Sequence, residues 1–335
     1  MILLLTGFVL SSCAVNLGYD GKPFKNSYES ITAQDLKKHL YIVASDEMEG
    51  RATGSEGQKK AGRYLISEYQ KMGVSHPKSM ENFYQPVPSE YLGTRRGNKY
   101  PDSENILAFI EGSELPNEVI VVSAHYDHVG KNKDGEVYNG ADDDGSGTVA
   151  LLEIAEAFQK AKKKGHGPKR SILFLHVTAE EIGLVGSRYY SENPIFPLEN
   201  TVVNLNIDMI GRSDPENEGK KYVYVIGSEM LSSELKKISE SANANTTQME
   251  LNYKYDDPKD PMRLYYRSDH YNFAKNNIPV AFYFDGIHED YHKITDDPEK
   301  IDYPLFETRT RLIFATAWEL ANREGRIVVD GKNTR

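Results

Sequence analysis

Five short stretches of this chain carry the side chains of metal chemistry. They are His125-Tyr126-Asp127, Asp142-Asp143-Asp144, Glu180-Glu181, Asp208 and His292. Imidazole and carboxylate without thiolate suit zinc, with cobalt or manganese as substitutes. The single cysteine, Cys13, excludes both a cysteine-based zinc site and an internal disulfide framework. Two histidines and three carboxylates suffice for two Zn²⁺ ions if one carboxylate bridges them. The formal charges of two divalent ions, three carboxylates and a bridging hydroxide then cancel. Metals about 3.5–4 Å apart can share one water and bind the reacting oxygen of a substrate. Taken singly, each stretch has an ordinary reading. Three adjacent aspartates make a solvated turn or a helix N-cap, and Glu180-Glu181 makes a charged helix start favoured by the dipole. Asp208 is different, because it ends an apolar run through Val202, Val203, Leu205 and Ile207. An unpaired carboxylate there costs several kcal/mol or is protonated, so it calls for a cation. His176, inside Leu173-Phe174-Leu175-His176-Val177, reads instead as a satisfied core histidine. Gly145-Ser146-Gly147 lacks the third glycine of a dinucleotide fingerprint.

The elements that must position these residues follow from the apolar pattern. Short apolar runs predict buried strands at 106–110, 119–123, 172–177, 202–207, 222–226 and 280–284. Helical spacing joins Leu36, Leu40 and Val43. It also joins Leu151, Ile154, Ala155 and Phe158, and near the C-terminus Ile313, Ala317 and Leu320. Ser55 and Gln58 form a capping-box pattern ahead of a helix carrying Ala61, Tyr64, Leu65 and Tyr69. Residues 160–170, rich in lysine and glycine, read as a solvated loop, and the Pro- and Tyr-rich stretch 75–103 defines no element. Alternating strands and helices predict an α/β fold with a mostly parallel central sheet and helices on both faces. Ligands in such sheets bind beyond the carboxyl ends of the strands. The metal-type residues fall at those ends.

Composition narrows the function. The 335 residues include 40 Lys+Arg and 50 Asp+Glu, a net charge of −10, which disfavours nucleic-acid partners. Hydrophobic residues at 39% and charged residues at 27% fit a soluble globular chain. The apolar run 2–10 is too short to span a bilayer, which takes about 20 residues, but has the length of a signal-peptide core. No Lys or Arg precedes it. Leu10-Ser11-Ser12-Cys13 is similar to a bacterial lipoprotein cleavage box, in which the cysteine becomes the lipidated N-terminus. That predicts a signal peptide over 1–12, a polar tether over 13–30, one catalytic domain over 31–325 and a tail over 326–335. The location would be the bacterial cell envelope, periplasmic or outer-membrane, with membrane contact only through the lipid on Cys13.

The motifs together resemble metallopeptidase family 28, which contains co-catalytic dizinc aminopeptidases and glutamate carboxypeptidases. The resemblance rests on His125-x-Asp127, the run from Gly140 to Gly147, Glu180-Glu181-x-Gly183, Asp208-Met209 and His292. It is supported by the stretch from Ser45 to Arg51, Gly54-Ser55 and Ser268-Asp269-His270. It extends from about Ile31 to Arg323. The fold it implies is the phosphorylase/hydrolase-like zinc-peptidase type. Carried over by motif position, it implies that His125 and Asp208 hold one zinc, Glu181 and His292 the other, and that Asp143 bridges them. Glu180 would be the general base and acid, and Asp127 would hydrogen-bond His125 and fix its tautomer. A cis peptide between Asp143 and Asp144 is also implied. The implied chemistry is attack of a metal-bridging hydroxide on a scissile carbonyl, with Glu180 moving the proton to the leaving amine. The substrates would be peptides and the activity that of an aminopeptidase. The alternatives are a carboxypeptidase or dipeptidase of the same family, a glutaminyl cyclase-like acyltransferase with one zinc, and a binding protein that has lost its metals.

Overall fold

The computed structural model describes residues 17–331 apart from Arg96 and Pro258, so Cys13 and the cleavage box lie outside the described residues. Among the described residues ten strands form: β1 (Tyr84–Val87), β2 (Thr94–Arg95), β3 (Asn98–Lys99), β4 (Ser103–Ile110), β5 (Leu115–His125), β6 (Arg170–Val177), β7 (Thr201–Ile207), β8 (Tyr222–Ile226), β9 (Glu250–Asn252) and β10 (Val280–Phe284). Strands β2 and β3 make a separate hairpin. The other eight form one sheet in the order β1-β4-β6-β5-β7-β10-β8-β9. Its centre, β6-β5-β7-β10, is parallel. The pairs β1–β4, β4–β6 and β8–β10 are antiparallel, so the sheet is mixed and the expectation of a parallel sheet holds for the strands that carry the site. Every residue of β6 and β7 is buried, as their near-continuous apolar sequences require of strands covered on both faces.

The helices are α1 (Lys22–Tyr28), α2 (Ala33–Val43), α3 (Glu56–Met72), α4 (Ser89–Leu92), α5 (Gly147–Lys163), α6 (Val185–Glu192), α7 (Leu235–Asn245), α8 (His270–Ala274) and α9 (Tyr303–Asn322). On β5, Ile120, Val122 and Ala124 pack into a core with Leu151, Ile154 and Phe158 of α5 and Trp318 of α9. The alternate residues Val119 and Val121 join the opposite core with Tyr190 of α6 and Phe273 of α8. The period of two in a strand thus divides one apolar run between two layers. Helix α3 starts where the cap pattern places it, with the Ser55 hydroxyl accepting from the Gln58 N–H. Gln58 then departs from a capping box. Its side-chain oxygen accepts from Gly54 N and Ser103 Oγ, and its amide donates to Thr178, tying the helix start to the sheet.

Two expected boundaries move. The second half of the expected tether is part of the domain: α1 forms within it, Phe24 is 2% exposed, and Trp318 Nε1 donates to the Leu17 carbonyl at 2.7 Å. A few apolar residues, Leu17, Tyr19 and Phe24, outweigh the polar average of the stretch. The expected tail is likewise held as far as Gly331, whose N–H donates to Leu231, with Ile327 4% exposed. Strands β1 and β9 arise where no apolar run announces them, because each borrows its register from a neighbouring strand. His176 is fully buried with Nε2 on the Tyr69 hydroxyl at 2.7 Å, and burial pushes it down to about 3, as a neutral core histidine. Phe24→Ala is expected to cost about 3–5 kcal/mol, the usual penalty for truncating a buried phenylalanine, in urea unfolding. A change below about 0.5 kcal/mol, typical of exposed positions, would restore the tether reading.

Candidate metal centre

Parallel strands bring their carboxyl ends to one edge, and three of them deliver the site. His125 is the last residue of β5, Glu180 and Glu181 lie in the turn after β6, and Asp208 follows β7 directly. Asp143 comes from the turn between Gly140 and α5, with a cis peptide joining it to Asp144. His292 comes from the loop after β10, with its ring stacked on Tyr291 at a centroid distance of 4.0 Å.

These side chains converge. His125 Nε2 lies 3.3 Å from Asp143 Oδ1 and 3.6 Å from Asp208 Oδ1. His292 Nε2 lies 2.9 Å from Asp143 Oδ2 and 3.2 Å from Glu181 Oε2. The two oxygens of Asp143 therefore face two separate groups of ligand atoms. Asp143 Oδ2 is buried and makes no hydrogen bond despite its closeness to His292, so the atoms meet without the alignment of donor and acceptor. Lone pairs that approach one another in this way fit a shared cation. Asp144 also comes within reach of His125 and Asp208. Its oxygens, however, accept from the backbone N–H groups of His125, Gly147 and Met209 at 3.2, 2.8 and 3.2 Å, which leaves Asp143 as the free member of the pair. Asp142 turns away and accepts from Gly211 N at 2.6 Å. Of three like residues, the outer two fasten the turn and the middle one faces the centre.

Asp127 does not do what was expected of its carboxylate. His125 Nδ1 is 3.0 Å from the Asp127 backbone oxygen and 3.9 Å from Oδ1, so the carbonyl fixes the tautomer. The Asp127 carboxylate accepts from Thr53 Oγ1 and from Glu180 N, at 2.8 and 3.1 Å, and thereby sets the Glu180 turn. Three further residues matter that the spacing of metal-type residues did not single out. Ser268 donates to Asp208 Oδ2 at 2.6 Å. Asp296 accepts from the N–H groups of Asp142 and Asp143. Arg51, fully buried, donates to the carbonyls of Val43, Tyr126, Asn139 and Gly140. The signal for Ser268 and Arg51 was their place in stretches shared with family members; Asp296 gave none.

The electrostatics follow from crowding. Burial raises the Glu180 carboxyl well above the usual range, and the charges of Glu181 and Asp208 add to it. Burial lifts Asp127 to about 6. Burial and Asp143 also push Glu181 up, but its contacts with His128 and His292 outweigh them and bring it to about 2. Burial opposes charge on His292, yet Asp143 and Glu181 carry it up to about 10. The cluster demands positive charge, which protons or divalent cations can supply. Beside it opens a small cleft, onto which His125, Asp143, Glu180, Asp208 and His292 face. Leu264, Phe282, Phe284 and Ile287 form its apolar wall.

The sequence model of Peptidase family M28 matches residues 105–317, and the chain belongs to that family. It is similar to a probable zinc metalloprotease of Pyrenophora tritici-repentis, with 36% identity over 185 residues covering 52% of this chain and 35% of the relative. The first three curated relatives are spanned over only 14% to 35% of their own lengths. In fold the chain is similar to a leucine aminopeptidase precursor from Bacteroides thetaiotaomicron, with a TM-score of 0.67, 17% identity and coverage of 93% and 100% of the two chains. It is also similar to Porphyromonas gingivalis glutaminyl cyclase, with a TM-score of 0.64, 19% identity and coverage of 86% and 98%.

The division of labour among the three aspartates is testable in chelator by urea unfolding. Asp144→Ala strands three backbone donors, two of them hydrogen-bonded at 3.2 Å and one at 2.8 Å. It is expected to cost about 3 kcal/mol or more, at 1–3 kcal/mol per unsatisfied group. Asp143→Ala strands no backbone donor and loses only the contacts with His125 and His292, so it is expected to cost less than Asp144→Ala. The reverse order would place the structural role on Asp143.

Proposed function

We propose that this chain is a dizinc exopeptidase, an aminopeptidase that hydrolyses peptide bonds. In this reading His125 and Asp208 hold one zinc, Glu181 and His292 the other, and Asp143 bridges them, with cobalt or manganese as substitutes. The single observation that carries it is the placement of Asp143, whose two oxygens face the two ligand groups. Bound zinc supplies Lewis acidity and lowers the pKa of water toward about 7.

The chain's own residues do the rest. Glu180 lines the cavity beside His125 and Asp208, held by its backbone bond to Asp127. A carboxyl raised by burial can take a proton near neutral pH and return it to a leaving amine. The carboxylates around the cavity attract the free α-amine of a peptide, and the apolar wall of Leu264, Phe282, Phe284 and Ile287 suits an apolar side chain. The names of the metalloprotease relative and the aminopeptidase neighbour support this reading. We also propose that Cys13 is lipidated and anchors the enzyme to a bacterial cell envelope, a reading supported by the Leu10-to-Cys13 box. Mass spectrometry of the native protein is expected to find the chain beginning at lipidated Cys13, and an unmodified Met1 terminus would refute the anchor.

The decisive comparison is between two adjacent glutamates. Glu181→Ala is expected to lose one zinc and activity together. Glu180→Ala is expected to keep both zincs while kcat falls roughly 10²–10⁴-fold, the usual contribution of a positioned acid–base group. The native enzyme should cleave unblocked peptides from the amino end and spare N-acetylated ones. Carboxyl-end cleavage of blocked peptides would favour the carboxypeptidase alternative. A single zinc in the native chain would favour the cyclase-like one.

A further inference from the structure

His128 stands three residues beyond His125, and neither the ligand set nor the acid–base role above includes it. Its ring is fully enclosed. Nδ1 is 2.8 Å from Glu181 Oε1, a hydrogen bond, and 3.8 Å from Asp143 Oδ2, too far for a second one. Nε2 has no hydrogen-bond partner among the described residues. The bond to Glu181 is thus the one hydrogen bond its side chain makes there.

The ring is also held in place. The His128 N–H donates to the Arg51 carbonyl at 3.1 Å, and Arg51 is itself locked by its buried guanidinium bonds. Gly140 lies against the ring at φ +55°, and a Cβ at that position would come within 2.5 Å of His128 Cδ2. No side chain would fit between position 140 and the ring. Glu181 is consequently divided. Oε1 is taken by His128, while Oε2 lies 3.2 Å from His292 Nε2 on the Asp143 side.

We propose that His128 is a positioning residue that makes Glu181 a one-oxygen ligand of the second metal. By occupying Oε1 it prevents the carboxylate from chelating through both oxygens, and a coordination position stays open for substrate, as catalytic zinc sites require. Partners of ligands that act in this way commonly change metal affinity 10–100-fold when removed. The inference rests on the reading of Glu181 as a metal ligand.

The test uses two substitutions that branch alike at Cγ, His128→Asn and His128→Leu, in the full chain. The asparagine amide can stand where Nδ1 stands, and leucine offers no donor. Zinc is titrated into each protein against a competing chelator, which resolves the two sites, and thermal unfolding in chelator shows that both variants fold. His128→Leu is expected to weaken the second zinc about 10–100-fold and to leave the first within about threefold of the native chain. His128→Asn is expected to recover most of the loss. Leucine binding the second zinc like the native chain would overturn the proposal. Asparagine failing as badly as leucine would also overturn it, because that is the behaviour of a direct nitrogen ligand. If the leucine variant does not fold, His128→Gln replaces it. Its amide reaches the place of Nε2, so it should fail where asparagine succeeds, and equal binding by the two would count against the proposal. A native chain that takes up fewer than two zincs would refute the underlying ligand reading instead, and that result is distinct from all of these.

Discussion

Like charges held close together dominate this molecule. Asp127, Asp143, Asp144, Glu180, Glu181 and Asp208 crowd one end of the sheet, with Asp142 and Asp296 directly behind. A pair of unit charges about 4 Å apart repels by on the order of 4 kcal/mol at an effective dielectric constant of 20. Such a cluster persists only where something opposes the repulsion at every carboxylate. Backbone N–H groups do this for Asp144, which accepts three, and for Asp296, which accepts from two residues. The charge of buried Arg51 acts on Asp143, Asp144, Asp296 and Asp127 together. Asp143, Glu181 and Asp208 are left facing imidazoles, and there the proposed pair of cations would complete the balance.

Much of the fold serves that arrangement. The parallel centre of the sheet brings the ends of β5, β6 and β7 side by side, and the Gly140-to-Ser146 turn adds Asp143 from above the first of these. The stretch around Arg51 closes over this turn, with Gly50 at φ +66° packed so tightly on Gly130 and Tyr138 that no side chain would fit. Helix α5 starts at the turn and is buried along most of its length between the sheet and α1, α2, α3 and α9. The site is thus anchored to rigid elements, while its cavity wall comes from β10 and the neighbouring turns.

The sequence revealed the strongly patterned parts and missed those that depend on context. Six buried strands were legible because their apolar runs are continuous, and Tyr222–Ile226 and Val280–Phe284 were legible to the residue. The antiparallel edges were not, since pairing direction is decided by where the chain crosses and leaves no mark on apolar pattern. Helix α1 was hidden because three apolar residues in a polar stretch carry its packing. The metal-type residues stood out by chemistry and order along the chain, and the structure brings all of them to one place. What Asp127 and His128 contribute could not be read, because the deciding features are which of two oxygens points at an imidazole and how far away a carbonyl lies. Asp296 was invisible for the same reason: it acts on backbone N–H groups more than 150 residues away in sequence.

On the proposed reading, the carboxylate cluster holds two cations, one on either side of Asp143. Crystals grown with zinc and measured at the zinc absorption edge test it directly. Two anomalous peaks about 3.5–4 Å apart are expected, the separation of co-catalytic pairs. One would lie among Asp143 Oδ1, His125 and Asp208, the other among Asp143 Oδ2, Glu181 and His292. A single peak, or two peaks not joined through Asp143, would contradict it.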